Sequence, residues 1–304
     1  MTAIVECVPN FSDGRRPEVV EALTHALESS GNAVVLGTHR DPDHNRSVIT
    51  FVASPDQVVD AAVTVVRVAA DLIDLRAHRG EHPRIGATDV LPFIPVSEVS
   101  MPECVAIAHE AGRRIATELG IPAYFYESAA MRSDRVRLEN VRQRGFEDLR
   151  QHIETDEARR PDVGQPLLHP SAGAIAIGAR PFLIAFNVNL HTSDITIARK
   201  IAHAVRERDG GLPFLKALGF ELQSRRMVQV SMNLTNYEVT GMAAAFAAVK
   251  KAAEQLGVEI AGVEIVGLVP KAALDRTAEY FPLLENFSES LVLENQIRAR
   301  QRTA

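Results

Sequence analysis

Apolar and polar positions along the chain alternate with two periods, one suited to strands and one to helices. Ala3–Val8 is a short apolar run that predicts a buried strand. Pro17–Leu27 places Val19, Val20, Leu23 and Leu27 on one stripe, with proline at the first turn, and predicts a helix. Ala33–Leu36 and Val48–Val52 read as two strands joined by a polar loop. Pro55–Ile73 reads as a long helix entered from Ser54, and Val90–Val96 as a strand despite its two prolines. The resulting order, β-α-β-β-α-β, is the split βαβ of ferredoxin-like domains. Pro102–Leu119 adds a helix and Ala123–Tyr126 a short strand.

Between Glu154 and Pro166 the text turns polar and proline-interrupted, as a crossing segment does. Beyond it the same order recurs. Phe182–Val188 reads as a strand, Asp194–Arg206 as a helix, Phe220–Leu222 and Val228–Asn233 as strands, Met242–Leu256 as an alanine-rich helix stopped at Gly257, and Val263–Val266 as the closing strand. Pro270–Ala304 reads as helical with a charged tail. The pattern predicts an α/β (α+β) fold of two ferredoxin-like β-α-β-β-α-β subdomains, 1–178 and 179–304, with a ligand cleft or tunnel between them.

Composition narrows the partners. A chain of 304 residues is long enough for about two domains of ~150 residues each. With 33 Lys+Arg against 39 Asp+Glu the net charge is 33 − 39 = −6, so there is no basic surplus to neutralise a nucleic-acid backbone, and nucleic acid is not expected as a partner. No apolar run approaches the ~20 residues that cross a bilayer, and Glu6 interrupts the start where a signal peptide needs an apolar stretch. Cys7 and Cys104 lack any metal-ligand spacing and suit a reducing compartment. A cytoplasmic protein without a membrane partner is expected.

The densest chemistry lies in His78-Arg79-Gly80-Glu81-His82-Pro83-Arg84-Ile85-Gly86-Ala87-Thr88-Asp89. His78-x-x-Glu81-His82 has the spacing of inverted zinc peptidases, where two histidines on a helix hold the metal and the glutamate is the base. That chemistry needs a continuous helix, which Gly80 and Pro83 oppose. A loop that holds an imidazole between cations and glycines fits a general base better. A second polar cluster, His39-Arg40-Asp41-Pro42-Asp43-His44-Asn45-Arg46, is too long and charged for a minimal hairpin turn. Asn10–Arg15 has the chemistry of a strand-to-helix turn that presents backbone N–H groups to an anion. Asn187, Asn189 and Asn233 fall near predicted strand ends, where α/β clefts take ligands and where capping explains them nearly as well.

Taken in order, Val5-Glu6-Cys7-Val8-Pro9-Asn10-Phe11-Ser12, Asp43-His44-Asn45-Arg46, Gly80–Asp89, Gly178-Ala179-Arg180, Asn187-Val188-Asn189-Leu190, Gln229-Val230-Ser231-Met232-Asn233-Leu234-Thr235 and Val266-Gly267-Leu268-Val269-Pro270 resemble the glutamate formimidoyltransferase family. The resemblance implies transfer of a formimidoyl group from N-formimidoyl-L-glutamate to tetrahydrofolate, giving 5-formimidoyltetrahydrofolate and L-glutamate in histidine degradation and one-carbon metabolism. It implies two α/β subdomains around a folate site, and tetrahydrofolate as co-substrate with no metal. It also implies His82 as the catalytic residue, and Asp162, Val163, Gly164, Gln165, Pro166, Leu167, Leu168, His169, Pro170 and Ser171 as the folate-binding stretch. Bifunctional members carry a cyclodeaminase domain as well, so the transferase half alone is expected here.

The partners implied are these small molecules, and a homodimer is left open. Both substrates are anionic, which makes Arg46, Arg84 and Arg180 candidate carboxylate clamps, with Asn187 and Asn189 as further candidate contacts. The chain departs from the family at Leu36-Gly37-Thr38-His39, where an acidic L-D-x-D pattern is usual, so the carboxylate that would orient His82 is sought in Asp41 or Asp43. It departs again at Val239–Ala243 and at Val263-Glu264. The formyl or formimidoyl nature of the donor, and a folate-binding homologue without turnover, stay open on these departures.

Overall fold

The computed structural model describes residues 3–42, 45–79, 83–222, 225–285 and 287–301. The chain divides into two units, Met1–Arg180 and Pro181–Ala304.

In the first unit, β1 (Ile4–Cys7) and β2 (Asn10–Phe11) form one interrupted strand, since both pair antiparallel with β4 (Arg46–Ala53) on one side and β5 (Thr88–Ser97) on the other. Pro9, which has no N–H to give the ladder, stands at the interruption. β3 (Val34–Asp41) pairs with β4, and the helices α1 (Pro17–Ser29) and α2 (Val58–Leu72) connect the strands as the sequence pattern predicts. Counting β1/β2, β3, β4 and β5 as strands one to four, the spatial order is 4-1-3-2. After α3 (Met101–Leu119), β6 (Ala123–Glu127) and β7 (Ile175–Ala179) extend the sheet in parallel, with β7 between β5 and β6.

The two faces of this sheet are covered differently. The helical side holds the main core, in which Val5, Cys7, Phe51, Phe93, Phe125 and Ile177 meet the apolar stripes of α1, α2 and α3. The opposite face is covered at the β5–β7–β6 end by α4 (Leu138–Val141) and α5 (Gly145–His152), which pack Val141 and Leu149 on Val90, Tyr124, Tyr126 and Ala176. The Tyr126 ring packs against Gly178, where an added Cβ would stand 2.5 Å from it.

The second unit is a four-stranded antiparallel sheet, β8 (Ile184–Leu190), β9 (Leu215–Leu222), β10 (Met227–Leu234) and β11 (Ile260–Val266), in the spatial order β11-β8-β10-β9. It repeats the 4-1-3-2 arrangement. Ile184, Phe186, Val188 and Leu190 point to α6 (Ile195–Val205) and α7 (Met242–Gln255), so the period of two puts Asn187 and Asn189 on the opposite face.

Three local readings are corrected. The polar cluster from His39 is mostly ladder, since β3 runs to Asp41 and β4 begins at Arg46; backbone pairing needs no apolar side chain, and charges suit an edge strand. β7 has no counterpart among the predicted elements because its Ile-Ala-Ile-Gly-Ala sequence is too small-sided to stand out. Finally, Pro270–Ala304 is not broadly helical. Among the described residues only α8 (Leu293–Gln301) is an α-helix there, preceded by single 3₁₀ turns, because Tyr280 folds into the core as part of an irregular segment.

Candidate active site

The site is built on the turn between β2 and α1, the start of β4, and the segment that follows α2. Asp13 caps that turn by accepting from the N–H groups of Arg15 and Arg16, each at 3.1 Å, and pairs with the Arg16 guanidinium. Gly14 has no room for a side chain, as an added Cβ would stand 2.2 Å from the Asp41 carbonyl oxygen. The chain here is therefore pressed against the β3–β4 hairpin. Ser12 donates to the Gly86 carbonyl at 2.7 Å, which ties the same turn to the segment after Pro83.

Asn45 is buried and has φ +52°, a conformation asparagine tolerates better than most residues. Its Oδ1 accepts from Gly14 N–H at 3.0 Å, and its Nδ2 donates to the Arg79 carbonyl at 2.9 Å. Its own carbonyl accepts from His78 Nε2 at 3.1 Å. Because a carbonyl can only accept, Nε2 carries the hydrogen of this imidazole. Burial, opposed by this bond, holds the His78 pKa below the usual histidine value, and its Nδ1 is buried without a hydrogen-bond partner among the described residues.

On the other side of Pro83, Arg84 donates from Nη2 to the His78 carbonyl at 3.3 Å and to Glu147 at 2.9 Å. Asp89 accepts from Ile85 N–H at 2.8 Å and pairs with Arg142 at 2.6 Å. Arg46 is half-buried, and burial together with the neighbouring Arg142 charge lowers its pKa. These groups line a space of about 10 Å³ bounded by Phe11, Ser12, Asn45, Arg46, His78, Arg84 and Asp89, room for about one water. A larger groove of about 500 Å³ adjoins it in sequence, lined by Leu75, Arg76, Arg79, Phe146, Glu147, Arg150 and Gln151.

Gly80, Glu81 and His82, with Asp43 and His44, lie outside the described residues; the described chain on either side of 80–82 ends at Arg79 and resumes at Pro83. His78 stands beyond α2, which ends at Leu72, in a segment that is not helical. The helical presentation required for zinc by His78-x-x-Glu81-His82 is absent at that residue. No group of three or more His, Cys, Asp or Glu suited to a metal occurs among the described residues.

The remaining expected site residues fall elsewhere. Asp162 is engaged within the first unit: it pairs with Arg135 at 2.6 Å, both side chains buried, and accepts from Phe125 N–H. Val163 bridges to Ala123, and His169 Nδ1 accepts from Ala172 N–H while its backbone pairs with Gly173. Ser171 carbonyl accepts from Leu75 N–H at 2.9 Å, which brings this stretch to the floor of the larger groove. Gly164, Gln165, Leu167 and Pro170 are exposed, and Pro166 and Leu168 half-buried.

Arg180 follows β7 and bonds to Tyr126, with Glu6 as an opposing charge. Burial drives the Glu6 carboxyl up to about 7, a rise that Arg180 restrains. Asn187 and Asn189 stand within β8, Asn187 at its middle and not at an end. Asn189 accepts from Gln229 at 2.9 Å and donates to Glu285, which Arg225 also pairs, while Asn187 Oδ1 is buried without a hydrogen-bond partner among the described residues. Reading the sequence alone passed over Asn45, Asp89, Arg142 and Glu6 as single residues. Asn45, Asp89 and Glu6 stood inside the quoted motifs, but nothing in their spacing reveals the bonds they make.

Comparison with known proteins decides the family. The N-terminal subdomain of the formiminotransferase domain matches residues 4–180, and the formiminotransferase domain matches residues 185–300. The chain belongs to the formiminotransferase family. It is 48% identical over 297 residues to a glutamate formimidoyltransferase of Thermoplasma acidophilum, covering 97% of each chain. It is 42% identical to one of Streptococcus pyogenes, covering 98% of this chain and 99% of that one. The formimidoyltransferase-cyclodeaminase of Rattus norvegicus is 41% identical over 99% of this chain, which spans 56% of that longer protein. Among solved structures, pitrilysin overlaps at a TM-score of 0.20 and 8% identity, covering 84% of this chain and 34% of that one, too little to carry an argument about formiminotransferase chemistry.

Proposed function

We propose that the protein transfers the formimidoyl group of N-formimidoyl-L-glutamate to tetrahydrofolate, giving 5-formimidoyltetrahydrofolate and L-glutamate. The observation that carries this reading is the 48% identity to a glutamate formimidoyltransferase along 97% of both chains, with both family subdomains matched in order. Folate enters as co-substrate.

The chemistry requires a nitrogen lone pair on the reduced pterin to attack the amidine carbon. A base takes the N5 proton as the N5–C bond forms, which suits an imidazole with a pKa near neutral. The tetrahedral intermediate then breaks its C–N bond to glutamate, and the nitrogen leaves as an amine once the same imidazolium has returned the proton. His82 is assigned both steps. His78 is unsuited to them, because the ring is buried and its remaining lone pair, on Nδ1, is buried with it. It supports the segment that leads to His82.

Arg46, Arg84 and Arg180 are assigned to substrate carboxylates, with Asn187 and Asn189 as further contacts and 162–171 as the folate stretch. Within that stretch the roles divide: the Asp162 carboxylate holds Arg135 and the backbone, leaving exposed Gln165 and Leu167 for a ligand. The subdomain assignment follows the predicted halves, 1–178 and 179–304. No helix among the described residues is long and apolar enough to cross a membrane, and Cys7 and Cys104 are free buried thiols, in keeping with a cytoplasmic reaction. Purified protein incubated with tetrahydrofolate and N-formimidoyl-L-glutamate tests the function: the absorbance of the formimidoylated folate should rise with enzyme concentration, and its absence at substrate saturation would overturn the reading.

A further inference from the structure

We propose that Asn45 is a positioning residue for the transfer reaction, holding the Arg79 end of the segment that carries His82. The inference rests on the reading of His82 given above and names a residue to which that reading assigns no role. Asn45 joins three stretches that are distant in sequence. Its Oδ1 takes the Gly14 N–H, its Nδ2 gives to the Arg79 carbonyl, and its carbonyl takes His78 Nε2–H. Both polar atoms of its side chain are thus used, the amide supplying the acceptor and the donor on two separate atoms.

The bonds converge on the last two described residues before Gly80. The residues after Pro83 are fixed separately, by Ile85 N–H on Asp89, Ala87 N–H on the Ala172 carbonyl, and Arg84 on the His78 carbonyl. Arg79 and Pro83 are joined by four backbone steps of about 3.8 Å, so the places open to His82 are set by where those two residues are held. Arg84 joins the far side to the His78 carbonyl, and Ser12 ties that far side to the β2–α1 turn directly through the Gly86 carbonyl, so the Asn45 amide does the corresponding work for the Arg79 side. Removing it leaves the Arg79 carbonyl without this donor and loosens one end of the tether. A displacement of about 1 Å in a reacting group is enough to slow chemistry by about 10²-fold.

Two variants of the full chain separate the amide's parts. Asn45→Gly keeps a backbone at home at φ +52° and removes both side-chain bonds. Asn45→Asp keeps the acceptor for Gly14 and loses the donor to Arg79. In both, kcat at 25 °C is expected to fall by about 10-fold or more, while KM for each substrate stays within about threefold and circular dichroism shows a folded protein. Either variant with kcat within twofold of wild type would overturn the proposal, as would a rise in both KM values in step with the loss of kcat, the sign of general loosening. His82→Ala, assayed alongside, separates the failures: if it is impaired while Asn45→Asp is not, the positioning role alone falls; if it is unimpaired, the reading of His82 falls and this inference with it.

Discussion

The two units share one strand order and differ in how much charge they bury. In Met1–Arg180 the buried polar residues include Glu6, Asp13, His78, Arg84, Asp89 and Arg135, gathered at strand ends and turns. In Pro181–Ala304 they are Asn187, Asn189, Gln229 and Thr240, with Arg206 as the one buried charge among the described residues. Buried charges hold one another only with accurate partners, and they answer to protons. Buried amides are insensitive to pH and present donors and acceptors in fixed directions. The same scaffold therefore carries most of the buried charge in one half and, Arg206 aside, neutral buried groups in the other.

The contrast is most exposed to failure at its most deeply buried charge pair, Arg135–Asp162. Asp162→Ala leaves Arg135 buried and unpaired, and should lower the unfolding free energy by about 3–5 kcal/mol in urea titrations. A loss below about 1 kcal/mol would mean that the first unit does not depend on its charge pairs. Next comes the proton-transfer assignment: His82→Ala should keep the fold and lower kcat by at least ~10²-fold, with His78→Ala losing less. Equal collapse of both, accompanied by bound zinc in elemental analysis, would return the metal reading.

Glu6 gives the comparison a pH signature. Its folded pKa, about 7, is raised above the ordinary 4.5, so the neutral carboxyl contributes stability that is fully present below about 4.5 and is lost as pH rises through 7. Glu6→Gln should flatten the stability profile between pH 5 and 8 by roughly 1–3 kcal/mol; parallel wild-type and variant profiles would contradict the assignment. The smallest effect is expected in the second unit. Asn189→Ala removes the acceptor of Gln229 and one donor to Glu285, for a loss of about 1–2 kcal/mol that does not change between pH 5 and 8.

Much of the architecture was legible because amphipathic stripes such as Val19, Val20, Leu23 and Leu27 leave few alternatives once strands of period two lie between them. β7 was not, since a strand of Ile, Ala and Gly buried on both faces carries no alternation, and its small residues make sense only with Tyr126 packed against Gly178. The candidate site divides in the same way. His82 and Arg84 were legible as chemistry, from residue types that are dense in one loop. The work of Asn45 and Asp89 was not, because both act through backbone atoms of residues elsewhere in the chain, and pairings of that kind leave no trace in composition or spacing.

The place of β7 has a consequence for how the protein is made. The last strand of the first unit enters between β5 and β6, both synthesised well before it. At ~5–20 residues per second, translation from the end of β6 to the end of β7 takes roughly 3–10 s, during which the nascent chain carries two strand borders awaiting one shared neighbour. Substitutions in Ile175–Ala179 should therefore register first as a reduced yield of soluble protein from the ribosome, with the molecules that do complete the sheet turning over normally.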